Sequence, residues 1–151
     1  MYAELTGPTD PPIPRYKGNV DDLVVAQRHL DASDLRASAV YVRSAFESRI
    51  RKVSEDNHLK TAYKQDAKYI TADALWTLML THHNSLALAG VNFLDPALIP
   101  RINAVRSNVL NRLVHDGGVG LTRPDLQDAI NTMKAFRACE IPQPVVVMAA
   151  P

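Results

Sequence analysis

The chain is short of cysteine, of glycine and of net charge, and each shortage narrows what it can be. It has 151 residues and one cysteine, Cys139. No disulfide framework can close within the chain, and no multi-cysteine zinc site can form. A reducing interior is the natural setting, so a cytoplasmic protein is expected. The formal net charge is +1, from 17 Lys and Arg against 16 Asp and Glu. That balance excludes the global basic field of a dedicated nucleic-acid binder, and an acidic bias too, while leaving room for a local basic face. Apolar runs such as Val145 to Ala150 fall far short of the roughly 20 residues that span a bilayer. The start, "MYAELTGPTDPPIPRYKG", lacks the basic opening and apolar core of a secretion signal. No membrane partner is therefore expected. With 46% hydrophobic and 22% charged residues, disorder across the whole chain is excluded. One domain with a real core fits this length.

Proline is concentrated at the ends. Four prolines lie between Gly7 and Pro14, which forbids a helix there. Residues 1–19 read as an extended or mobile arm. At the other end Pro142 and Pro144 stop the last helix, and "VVVM" then has strand propensity. Residues 141–151 read as a tail, as an edge strand for another surface, or as the stump of a longer natural chain.

Residues 20–140 carry a helical pattern. "DDLVVAQRHL" is a short amphipathic segment that starts near Asp21. Leu35, Ala39, Val42, Phe46, Ile50 and Val53 then recur at three- and four-residue steps, with Ser33 as the expected N-cap. After the polar connection "HLKTAYKQDAKYI", Thr71 caps "TADALWTLMLTHHNSLALAG", which Gly90 can end. Asp95 and Pro96 open the next helix, with Leu98, Ile102, Val105, Val109 and Leu113 on its face. Thr122 and Asp125 stand at capping-box spacing before Leu126, Ile130, Met133 and Phe136. Neither an internal repeat nor a hairpin signal is present. The expected fold is all-α, a four- to five-helix bundle. Its longest helices, near 34–57 and 96–115, are expected to pack together.

Polar groups cluster on the helix that ends at His115. At about 100° per residue, Arg101, Asn108, Arg112 and His115 share a stripe, with Asn111 just outside it. Arginines beside a histidine suit phosphate binding or RNA cleavage, since Arg is a fixed cationic fork and His exchanges protons near neutral pH. The simpler reading is that Arg112 and His115 complement the helix dipole. On the second helix Arg43 and Glu47 are four apart and can pair. Either one reaching His115 would orient the imidazole. "GGVG" before Thr122 resembles an anion loop, but no strand precedes it, and a flexible helix connection is the plainer reading. His82 and His83 are adjacent and face apart, so no metal site is expected. Trp76 reads as core. Tyr63, Lys64, Lys68 and Tyr69 could stack on and hold nucleic acid, although a solvated loop is simpler. Cys139 has no fixed histidine partner. No cofactor motif is present.

Taken together, "SDLRASAVYVRSAFESRIRKVSE", "DAKYITADALW", "VLNRLVHDGG" and "LTRPDLQDAI" resemble the helical HEPN domains of bacterial defence proteins. The resemblance spans about residues 20–137. It implies a bundle that often dimerises and is often joined to an SMC-like or RecF-like ATPase. HEPN ribonucleases place an Arg four to six residues before a His, and by the resemblance His115 takes the histidine position. Arg112 is too close to it and Arg106 slightly too far, with Asn108, Val109, Leu110 and Asn111 between. The resemblance thus implies a non-cleaving homodimerisation or partner-docking module. The alternative is a metal-independent ribonuclease using His115 with Arg106, Arg112 or Arg43, Glu47 beside them, and Arg101, Asn108 and Asn111 binding RNA. A helical bundle of an unrelated system is the third reading.

Overall fold

The computed structural model describes residues 21–59 and 71–141, and these form an all-helical bundle with no strand among them. The arm at 1–19, the loop at 60–70 with its Tyr and Lys residues, and the tail beyond Ile141 lie outside the described residues. In chain order the elements are α1 (Asp22–Asp31), α2 (Leu35–Asp56), α3 (Ala72–Ala87), α4 (Leu98–Val105), a π segment (Arg106–Leu110), α5 (Asn111–His115) and α6 (Arg123–Ala138). From α4 to α5 the backbone is one unbroken helical rod.

Each start has a local cause. Asp21 caps α1 by accepting from the Leu23 amide at 2.8 Å. Thr71 caps α3 through the Ala74 amide, and Thr122 caps α6 through the Asp125 amide. Each such cap satisfies an amide the helix itself cannot. The cap of α2 is Asp34, not Ser33. Ser33 has φ +64° and ends α1 in the left-handed conformation, so the next residue supplies the oxygen, to the Ala37 amide at 3.1 Å. The α4 rod also begins later than its Asp-Pro start suggests. Asp95 accepts from the amides of Ala97 and Leu98 across a turn, and helix begins at Leu98.

The expected apolar faces meet in one core. Ala39, Val42, Phe46, Ile50 and Val53 of α2 are buried, as are Leu75, Trp76 and Met79 of α3 and Leu126, Ile130, Met133 and Phe136 of α6. Phe46, Trp76 and Phe136 join these three helices, with ring centroids 6.3 to 6.5 Å apart. Trp76 Nε1 donates to Asn103 Oδ1 at 3.0 Å, which ties α3 to α4. The two long helices do not pack along their lengths. α2 lies chiefly on α1, then on α6 and α3, while α4 rests on α6. Within the rod, it is chiefly the π segment and α5 that reach α2.

Arg49 closes the end of α6. It donates to the Phe136 carbonyl at 3.3 Å and the Cys139 carbonyl at 2.8 Å, and its guanidinium lies 5.6 Å from the Phe136 ring centre. Burial of that cation pulls its pKa below the ordinary arginine value.

Candidate functional site

The π segment decides which polar groups meet. A π turn takes one more residue than an α turn. One residue is about 100° of rotation, so everything after Leu110 turns away from the phase set by α4. The single stripe of Arg101, Asn108, Arg112 and His115 is therefore split. Arg101 and Asn108 line a groove of about 300 Å³ between α4 and α6, with Asp125, Asp128 and the buried Thr132. Asn111 and His115 line a separate cleft of about 380 Å³. Arg112 lines neither, and lies against the glycine loop after α5.

The His115 cleft is floored by Phe46 and walled by Arg43, Glu47 and Arg51 of α2. Thr71, Ala72 and Asp73 at the start of α3 form a second wall, and Leu110, Asn111, Val114 and His115 form the third. Arg43 and Glu47 line the same cleft as His115, and the plainer expectation for them, a pair on the edge of α2, is what they form. Within it, Arg43 Nε donates to Glu47 Oε2 at 3.0 Å. No hydrogen bond or ion pair joins His115 to either residue among the described residues. Arg106 stands behind the second wall and grips Asp73 Oδ1 through Nε at 3.3 Å and Nη2 at 3.0 Å. Both pairs are partly solvated and stabilise the fold by under about 1 kcal/mol each. Their larger effect is on charge, because each carboxylate answers one arginine. Asp73 also sits in the first turn of α3, where a carboxylate suits the helix dipole.

His115 is exposed in the last turn of α5 beside Arg112, at the end of a helix that favours cations. An imidazole, a guanidinium and a carboxamide facing one cleft can bind an anionic or hydrogen-bonding group and exchange a proton with it. Sequence reasoning passed over Arg51 and Asp73. Arg51 follows Glu47 by four residues and extends the Arg43–Glu47 stripe, a signal that was there to read. Asp73 meets Arg106 from 33 residues away, and no local pattern marks that contact.

The paired histidines serve structure. His82 sets its ring edge-on to Phe93 with centroids 4.6 Å apart. Buried His83 accepts the Leu94 amide through Nδ1 at 3.1 Å, which requires the neutral ring. No group of three or more His, Cys, Asp or Glu among the described residues is placed to hold a metal ion. Nor is any described helix long and apolar enough to cross a membrane. Neither protein families, curated proteins nor solved structures yield a match to the chain.

Proposed function

We propose that the chain is a HEPN-like helical domain of a bacterial defence system, of the anti-phage or toxin–antitoxin type. It acts by self-association or by docking to a partner such as an SMC-like ATPase, and has no catalysis of its own. One observation carries the non-catalytic half: the engagement of Arg43, Arg106 and Arg112, the arginines a ribonuclease reading would pair with His115. Cleavage of RNA by such a site needs a cation held on the phosphate beside the imidazole. Arg43 is held by Glu47, Arg106 is held by Asp73, and Arg112 is turned into the glycine loop. Val114, which lines the cleft beside His115, is 53% exposed. Exposed apolar surface beside such engaged charges suits a protein contact.

A second reading, a metal-independent endoribonuclease, is favoured by the shared cleft of Arg43, Glu47, Asn111 and His115. There His115 moves the proton and Arg43, released from Glu47, holds the phosphate. Incubation with total RNA and with tRNA, without added metal, separates the two. Wild type, His115→Ala and Val114→Asp are compared, with light scattering on each. The docking reading expects intact RNA from all three and an assembly that Val114→Asp alone disrupts. Cleavage by the wild type that His115→Ala abolishes, with assembly unchanged, overturns it in favour of the enzyme.

A further inference from the structure

We propose that the end of the bundle built around the α5–α6 connection binds a single phosphate group, held by Arg36, Arg112 and the amides of Gly117 and Gly120. The site is separate from the His115 cleft and does not depend on its function.

Three elements bring donors to this loop. Gly117, Gly118 and Gly120 all take positive φ, +64°, +93° and +88°. Arg36, from the first turns of α2, lays its stem along Gly118, with Cγ 3.5 Å from where a Cβ would stand. Arg112 of α5 brings Nη1 against Gly120 so closely that a Cβ there would overlap it. Arg123, the first residue of α6, stands at the same end and donates to Ser33 Oγ at 2.9 Å.

These donors have no anionic acceptor. The other engaged arginines meet carboxylates or carbonyls: Arg43 meets Glu47, Arg106 meets Asp73, Arg137 meets Asp21 and Arg49 meets two carbonyls. Arg36, Arg112 and Arg123 make no ion pair among the described residues. Arg112 Nε is buried without a hydrogen-bond partner. The Gly118 amide donates to the Arg112 carbonyl in α5, and the amides of Val119 and Leu121 donate to carbonyls of the connection, but those of Gly117 and Gly120 have no backbone acceptor. Two carboxylates lie close in sequence and are not used here. Asp34 caps α2 and stands 4.0 Å from His29, and Asp116 pairs with none of the three arginines.

Guanidinium and backbone N–H groups donate only, so unpartnered donors gathered at one loop stand to gain from an acceptor. Phosphate offers oxygens in several directions, matching donors that arrive from α2, from α5 and from the loop, and it binds arginine with charge assistance. Asp34 and Asp116 keep the local field modest. That favours a point site for one phosphate over a track for a polyanion.

The test is an amide-resolved NMR titration of the full chain, at fixed ionic strength, with inorganic phosphate and with adenosine monophosphate. The chain has only six glycines, so the loop amides are easily followed. Saturable shifts at Gly117, Gly118 and Gly120 are expected, with affinity lowered about tenfold in Arg36→Gln. Arg112→Lys should weaken binding as well, since it keeps the charge and loses the fork. Arg36 is on the surface, so its variant decides the matter if Arg112→Lys disturbs the loop, with circular dichroism confirming the fold. Equal affinity for both ligands assigns the site to free phosphate. Tighter adenosine monophosphate binding, with further shifts beyond the loop, assigns it to a nucleotide. Shifts that do not saturate, or that Arg36→Gln leaves unchanged, overturn the proposal.

Discussion

Alanine at Gly120 tests whether the glycine loop is built around Arg112. A residue with a side chain loses about 1–2 kcal/mol in the left-handed region, and Gly120 has φ +88°. Its new Cβ would also overlap Arg112 Nη1. That atom ends a flexible side chain, so Arg112 can retreat, at a further cost of about 1 kcal/mol in lost packing. Gly117 is the internal control, because its φ is +64° and no atom lies within 4 Å of its Cβ position. Gly117→Ala should therefore carry the backbone cost alone, about 1 kcal/mol. Gly120→Ala should cost about 2–3 kcal/mol in the wild type and about 1–2 kcal/mol when Arg112 is already alanine. Urea unfolding of the single and double variants, extrapolated linearly, gives the cycle. A Gly120→Ala cost that is the same in both backgrounds would refute the packing of Arg112 beneath this loop.

Replacing Arg49 with methionine keeps much of the stem and removes two charge-assisted bonds to the end of α6. The expected loss is about 2 kcal/mol in urea unfolding, because water reaches part of the exposed end; a change under about 0.5 kcal/mol would show that those carbonyls need no cap. The Arg137 guanidinium, 2.7 Å away, is the main cause holding the Asp21 carboxyl below the usual aspartate range. A depressed folded-state pKa contributes stability above the unfolded value of 3.8, and that stability is lost as pH falls through the folded value. Asp21→Asn should therefore flatten the acid limb of the stability profile below about pH 4, by under about 1 kcal/mol because the pair is half exposed. An unchanged acid limb would mean that the pair does not couple to folding.

Much of the fold was legible because its causes are local. An N-cap joins a side chain to an amide two or three residues on, so Thr71 and Thr122 could be read directly from the chain, as could a helix start near Asp21. The buried faces of α2, α3 and α6 follow from the 3.6-residue period, and Phe46, Trp76 and Phe136 lie on those faces. Ser33 was misread because hydroxyl chemistry suggested a cap, while the reversal between α1 and α2 required a left-handed residue at that place. The Arg43–Glu47 pair was legible from its four-residue spacing, whereas the cleft that these two residues line with His115 depends on helices far apart in sequence.

The sequence by itself determined the helical segments, the caps at Thr71 and Thr122 and the buried faces of α2, α3 and α6. Tertiary structure alone decided the phase of the rod that carries His115. The π segment turns α5 by about one residue, so Asn111 and His115 face α2 while Arg101 and Asn108 face α6. It also decided that Asp73 holds Arg106 and that the glycine loop covers Arg112. The reason is physical: periodicity assumes a uniform step of about 100°, and the π segment breaks that step between α4 and α5.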